Sequence, residues 1–170
     1  ARSASRILVT TKFTHADALQ YAGLEPERVR LVPALAPKFP INRLMSDNSD
    51  THIDSAYFIW TTNSAPHKNQ ENALEALRIY YEELNGELDC LVTVVNTDTL
   101  LSGKLPHLVN LSKKSRKSAK LQRKVQWHGD LADSSYRALL KGARFLWHPC
   151  LVDNGTFSVI EAACMNVPSL

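Results

Sequence analysis

The strongest constraint on the fold is an apolar strand, an amphipathic helix and a second apolar strand in direct succession. Residues 57–61 and 91–95 are runs of strand length that are apolar almost throughout. Between them, residues 70–84 place Leu74 and Leu77 at helical spacing on one face. Continuous apolar strands are typical of sheets that are buried on both faces. The order therefore predicts a βαβ unit with parallel strands.

The rest of the chain extends this pattern. Further strands are predicted at residues 6–10, 29–32, 125–128 and 144–148, and a helix is predicted from Ser134 or Ser135 to Leu140. From residue 56 the order is β-α-β, a variable stretch, then β-α-β-α and the start of another strand. The sequence thus predicts an α/β fold, a doubly wound parallel sheet. It starts without methionine and stops on entering a strand, so we expect a fragment truncated at both ends.

Residues 34–55 show little periodicity, and a structureless run of that length is unusual inside a compact domain. We therefore interpret this part of the chain as an interdomain connection. The predicted division is 1–40 as the end of one domain, with a short helix capped near Thr14 and ending by Gly23, then a linker at 41–55. Residues 56–170 form a second, incomplete domain.

Composition excludes several classes of protein. Of the 170 residues, 44% are hydrophobic and 22% are charged, as in ordinary globular proteins. A net charge of +3 is too small to indicate nucleic-acid binding. The three cysteines, in apolar surroundings without a Cys-x-x-Cys pair, predict reduced, buried thiols in a cytoplasmic protein. The sequence contains no apolar run near 18 residues and no signal peptide.

Residues 111–124 carry seven basic side chains and no acidic one. Such a run could contact an anionic membrane surface or a phosphorylated acceptor, which leaves peripheral membrane association open. It is more often a solvated helix face, the interpretation we favour. No aromatic residue lies among these cations, so binding to nucleic acid is not expected.

Residues 149–165 combine a turn with a helix pattern, and local rules leave their role open. Asp153-Asn154-Gly155 is a hairpin signal, but the helix-favouring residues from Glu161 onward exclude a second strand. If residues 156–158 open that helix, their free N–H groups form an anion site. Glu161 could then hold hydroxyls of the ligand that carries the anion. Equally, Ser158-x-x-Glu161 is a capping box.

Lys68 follows the loop after the strand at residues 57–61 and precedes the helix at 70–84. A cation at a helix N-terminus opposes the helix dipole, which favours an anionic ligand nearby over a solvent-exposed lysine. We assign His67 to a loop and His148 to the core. No His/Asp/Glu cluster at metal-ligand spacing is visible, so no metal is expected.

These motifs, in this order, resemble the C-terminal, donor-binding domain of GT-B glycosyltransferases of the family-4 type. Residues 65–69 resemble that family's Glu-Pro-Arg-Lys-Asn loop, and residues 125–129 its strand ending in glycine. Residues 143–149 resemble its strand leading to a Pro-Ser turn. Asp153 to Glu161 resembles its Glu-x7-Glu motif. The likeness covers residues 56–170, and residues 1–40 are similar to the end of the preceding domain.

The resemblance implies a retaining transfer of sugar from a nucleotide diphosphate donor to a glycan or lipid-linked acceptor, in polysaccharide biosynthesis and without a metal or other cofactor. It places Lys68 on the diphosphate, Glu161 on the ribose hydroxyls and Asp153 near the transferred sugar. These three are the candidate catalytic residues. The remaining positions that it aligns with the donor are Thr62, Asn63, Asn154, Gly155, Thr156 and Phe157.

Several positions depart from that family. Thr62 and Asn63 stand where an arginine is common, and Asp153 replaces a glutamate. Asn154 and Thr156 stand where glycine is usual, although Asn tolerates a positive φ better than most residues. Two alternatives therefore stay open beside the transferase, a non-catalytic nucleotide-binding module and a nucleotide-sugar epimerase of the same fold.

Overall fold

The computed structural model describes residues 3–33, 56–94, 96–115, 118–153 and 157–170. The predicted linker at 41–55 lies outside these residues, so the predicted domain boundaries stay a prediction. Among the described residues, no helix combines the length and the apolar character needed to cross a bilayer.

Residues 3–33 form a small parallel strand pair, β1 (Ile7–Val9) and β2 (Val29–Leu31), joined through helix α1 (Lys12–Gln20). The helix begins earlier than predicted. The Thr11 side chain, not the Thr14 region, caps it by accepting a hydrogen bond from the backbone N–H of Thr14 at 3.0 Å.

Residues 56–170 contain a four-stranded parallel sheet in the order β5-β4-β3-β6. Leu146 of β6 also pairs in parallel with Ser169, so the predicted final strand begins where expected. The chain moves outward from β3 through β4 to β5 and then returns to the other side of β3. This reversal defines a doubly wound sheet and confirms the predicted fold class. The strands are β3 (Tyr57–Thr62), β4 (Asp89–Val94), β5 (Val125–Gly129) and β6 (Leu146–Trp147).

Helices cover both faces of this sheet. Alternation along β3 divides the core, because Phe58 and Trp60 face one helical layer while Tyr57 and Ile59 face the other. The first layer contains α2 and the short helices before β5, and the second contains α6 and α7. Their bounds are α2 (Gln70–Glu82), α3 (Thr97–Leu101), α4 (Leu111–Ser115), α5 (Ala119–Lys124), α6 (Asp133–Gly142) and α7 (Phe157–Cys164).

The predicted strand at 144–148 is shorter than expected, since only Leu146 and Trp147 form a ladder. The stretch at 96–124, which carried little periodic signal, contains three of the short helices. Their core contacts come from isolated leucines such as Leu100 and Leu121 rather than from a continuous apolar stripe.

Several basic side chains of the segment 111–124 bind the protein itself. Lys114 lies 3.4 Å from Glu71, and Lys124 lies 2.6 Å from Asp89. Lys120 donates to the carbonyl oxygen of Tyr81 at 3.2 Å. These contacts favour the structural interpretation of the run.

The cysteines are free, but only one matches the prediction of a buried thiol. Cys90 is fully buried in β4, whereas Cys164 is exposed and Cys150 lies half-buried beside charged groups. The expectation of apolar surroundings was therefore wrong for Cys150 and Cys164, because both lie outside the strands that form the core.

Candidate active site

The functional side chains gather where the winding of the sheet reverses. β3 and β6 are parallel neighbours, so the loops that follow them, residues 63–69 and 148–153, leave the same edge of the sheet side by side. A backbone hydrogen bond of 2.9 Å from Leu151 N–H to the carbonyl oxygen of His67 joins the two loops. Open α/β sheets bind ligands at such a reversal, outside the carboxyl ends of the strands.

The loop after β3 is held by its own side chains. The Asn63 carboxamide oxygen accepts from the backbone N–H of Ala65 at 2.9 Å. The buried Gln70 amide donates to the carbonyl oxygens of Asn63 and Ala65. The ring of His107 contacts the carbonyl oxygen of Ser64 at 2.6 Å. These bonds present Lys68 from a fixed backbone, as a binding site requires.

Lys68 and Asp153, which are 85 positions apart, come together across the two loops. The Lys68 ammonium nitrogen lies 3.8 Å from Oδ2 of Asp153. The same carboxylate oxygen lies 2.6 Å from Nε2 of His148. The side chains of Lys68 and His148 are each 12% exposed and that of Asp153 is 25% exposed. In the structure without a ligand, the carboxylate of Asp153 is therefore the anion that was expected near Lys68.

Cys150 completes this group, which we call the switch-point cluster: Lys68, His148, Cys150 and Asp153. The Cys150 sulfur lies 3.9 Å from Nδ1 of His148. Burial raises the pKa of the Cys150 thiol, although the Lys68 ammonium works in the opposite direction. A thiol that keeps its proton is a poor nucleophile, so the Cys–His–Asp order does not indicate covalent catalysis.

His148 and Cys150 were not predicted as site residues, and the His/Asp/Glu spacing considered for a metal did not include cysteine. His148, Cys150 and Asp153 offer one ligand atom each, all within 4.8 Å of one another. The signal was His-x-Cys-x-x-Asp at residues 148–153, which only a tight loop converts into a cluster. The Lys68 ammonium beside Asp153 opposes a cation there, and Asp153 already has a hydrogen-bonding partner in His148.

A cavity of about 360 Å³ opens at the carboxyl ends of β3, β4 and β5. Part of its lining is formed by hydroxyl groups: Thr93 contacts Thr61 at 3.1 Å, and Thr61 contacts the Tyr136 phenol at 3.4 Å. Burial raises the pKa of Tyr136, which keeps this group a neutral hydrogen-bond donor. Glu161 of α7 lines the same cavity, and burial raises its pKa as well. Its lining combines these uncharged donors with three carboxylate residues, Asp130, Asp133 and Glu161, a set suited to sugar hydroxyls.

The predicted site residues divide between these two neighbouring places. Thr62, Phe157 and Glu161 line the cavity, while Lys68 and Asp153 belong to the switch-point cluster. Asn63 shapes its loop. Asn154, Gly155 and Thr156 lie outside the described residues.

The competing local interpretations of residues 153–161 can now be separated. The helix α7 confirms that the turn leads into a helix and not into a second strand. Ser158 is the second residue of that helix and is buried. It therefore cannot be the N-cap residue that the capping-box interpretation required, which leaves Glu161 available to the cavity.

No protein-family model matches the sequence, and no curated protein sequence matches it. Similar solved structures do exist. WaaG, a glycosyltransferase involved in lipopolysaccharide biosynthesis, is 18% identical with a TM-score of 0.64 over 96% of this chain and 43% of its own. TarM from S. aureus, solved with Fondaparinux, alpha-GlcNAc-glycerol and UDP, is 14% identical with a TM-score of 0.65 over 99% of this chain and 30% of its own. MnaA from S. aureus, solved with UDP, is 18% identical with a TM-score of 0.57 over 98% of this chain and 41% of its own.

The chain thus spans less than half the length of these structures. At such low identity the likeness concerns the fold. This chain has the fold of one part of the GT-B glycosyltransferases, with a Rossmann-like sheet, as the sequence motifs predicted.

Proposed function

We propose that this chain supplies the donor site of a retaining glycosyltransferase of the family-4 type, which uses a nucleotide-diphosphate sugar. The observation that carries the proposal is the juxtaposition of Lys68 and Asp153 at the switch point of the sheet, on the same edge as the cavity that Glu161 lines. Similar folds have been solved with UDP bound, which supports a nucleotide ligand.

The chemistry assigns a role to each group. When the bond between the anomeric carbon and the phosphate oxygen breaks, the electron pair stays on the diphosphate. Without a metal, cationic side chains and backbone N–H groups must stabilise that charge. Lys68 is placed to do this from the loop after β3, and the N-terminus of α7, at Phe157, adds backbone N–H groups.

Glu161 would accept hydrogen bonds from the ribose hydroxyls. Its ionised form is the stronger acceptor, and the hydroxyls would satisfy a carboxylate that burial otherwise penalises. Asp153 would face the transferred sugar. The acceptor, a glycan or a lipid-linked glycan, would be bound chiefly by a preceding domain. Peripheral membrane contact stays part of the proposal for the whole protein.

A non-catalytic nucleotide-binding module is the second candidate, and two observations favour it. Thr62 and Asn63, where the resembled family carries an arginine, are uncharged, and Asn63 is committed to its own loop. Lys68 also has an intramolecular partner in Asp153. A nucleotide-sugar epimerase would use the same donor groups and is separated from a transferase only by its product.

The test measures release of nucleoside diphosphate from UDP-, GDP- and ADP-sugars by the full-length protein. We expect release with one of them, and we expect Lys68→Ala and Glu161→Ala each to reduce it by at least about tenfold, the effect of losing one charge-assisted hydrogen bond. Lys104→Ala, an exposed lysine outside the site, is the matched control. Release that both variants leave unchanged would refute the site. Binding without release would favour the non-catalytic module, and a changed sugar without transfer would favour the epimerase.

A further inference from the structure

His148 is held more firmly than a loop residue. It directly follows β6, its backbone N–H donates to the carbonyl oxygen of Leu170 at 2.7 Å, and its own carbonyl accepts from Cys150 N–H at 2.8 Å. Its side chain is 12% exposed. The imidazole is therefore fixed relative to the sheet, whereas Asp153 lies on the loop beyond it.

The imidazole and Lys68 contact the same oxygen of Asp153, at 2.6 and 3.8 Å. Under the proposed function, diphosphate binding affects these two contacts differently. A bound diphosphate would compete with Asp153 for the Lys68 ammonium, because the diphosphate group carries more negative charge than a single carboxylate. Of the two contacts, that from His148 is the one that diphosphate binding leaves in place.

The surroundings of the ring favour the tautomer that this contact needs. Nε2 must carry the proton to donate to an ionised Asp153, which leaves Nδ1 as an acceptor in the neutral ring. The Cys150 thiol lies 3.9 Å from Nδ1 and, keeping its proton because of burial, can donate to it. A chain of hydrogen bonds thus runs from Cys150 through His148 to Asp153.

We propose that His148 is a positioning residue, which holds the Asp153 carboxylate at the transferred sugar while Lys68 binds the diphosphate. This inference rests on the proposed function and adds to it a residue that acts only through Asp153. It also explains how an aspartate can serve where the resembled family has a glutamate, since the shorter side chain is anchored from the sheet.

The test compares His148→Leu with His148→Gln in the full-length protein, because the Gln carboxamide nitrogen can occupy the place of Nε2 and donate to Asp153. For the nucleotide sugar that the wild type cleaves, we expect His148→Leu to lower kcat by at least about tenfold. The inhibition constant of the matching nucleoside diphosphate should change by less than about threefold. His148→Gln should recover most of kcat. The positioning role would be overturned if His148→Leu weakened diphosphate binding as much as it lowered turnover of the sugar donor. It would also be overturned if His148→Gln did not recover kcat.

Two further measurements keep the inference distinguishable from the proposed function. Without any ligand, the Nε2–H proton resonance of His148 should shift in Asp153→Asn, and an unchanged resonance would refute the contact even if no nucleotide binds. Zinc content is the second. One equivalent of zinc that is retained by the wild type and lost in Cys150→Ser and His148→Leu would make the cluster a metal site and overturn the assignment.

Discussion

Removing either partner of the Lys68–Asp153 pair should change nucleotide binding in opposite directions. Lys68→Ala deletes the cation that the proposed function assigns to the diphosphate. Asp153→Asn keeps the size of the side chain but removes the charge that competes for that cation. Under the proposed function the pair is a self-inhibiting contact, which a bound diphosphate would replace.

The magnitudes follow from the geometry. At 3.8 Å, two unit charges attract by about 1 kcal/mol in water and by about 4 kcal/mol at an effective dielectric constant near 20. Since Asp153 is 25% exposed, screening and desolvation leave about 1 kcal/mol. Asp153→Asn should therefore tighten binding of a bare nucleoside diphosphate about fivefold. Lys68→Ala loses a charge-assisted bond of about 1.5–3 kcal/mol and should weaken binding at least about tenfold.

Calorimetry with UDP, GDP and ADP at constant ionic strength measures both effects. Lys104→Ala controls for the loss of a positive charge elsewhere on the surface. If Asp153→Asn weakened binding as strongly as Lys68→Ala, Asp153 would be orienting the lysine for the ligand rather than competing with the ligand, and the reasoning would fail.

Glu161→Gln should stabilise the protein and weaken nucleotide binding. Burial holds the pKa of Glu161 above its unfolded value, so its stabilising contribution is present below the unfolded pKa, about 4.3, and is lost as pH rises through the folded pKa. At pH 7 the variant should melt higher, and Glu87→Gln, at an exposed position away from the cavity, should not. Gly142→Ala should destabilise by about 1–3 kcal/mol, because the new Cβ would lie 2.5 Å from the Tyr57 hydroxyl, which donates to the carbonyl oxygen of Leu139. Urea titration of Gly142→Ala with and without Tyr57→Phe tests this, since removing the hydroxyl should reduce the penalty.

The sheet was predictable because its signal is local and repeated. The apolar runs that form β3 and β4 are typical of strands buried on both faces, and a single amphipathic helix between two such strands favours parallel pairing. The ladders bear this out, from Tyr57 opposite Asp89 to Thr62 opposite Val94. The short helices at 96–124 carried no such signal, because each has only one or two buried leucines, fewer than a period can reveal.

The switch-point cluster was only half predictable, for a physical reason. Lys68 and Asp153 each lie after a predicted strand, so their meeting follows from strand order. The contact between His148 and Asp153 depends on the backbone conformation of residues 148–153, and no rule of sequence spacing determines that conformation. A histidine after an apolar strand is more often part of the core, and here it turns its Nε2 to a carboxylate. The same limit applied to Ser158, whose spacing with Glu161 fits a capping box but which lies inside the helix as its second residue.

Under the proposed function, the two residues where β3 ends, Thr62 and Asn63, determine how strongly diphosphate binding depends on Lys68. Thr62 is 6% exposed and lines the cavity, and Asn63 is bonded to Ala65. Neither residue can bring a positive charge to the diphosphate. In a site with two cations, the pairing of one with a carboxylate would leave the other for the ligand. Here Lys68 is paired with Asp153, so under the proposed function donor affinity should depend on that pair more strongly than it would in a site with a second cation.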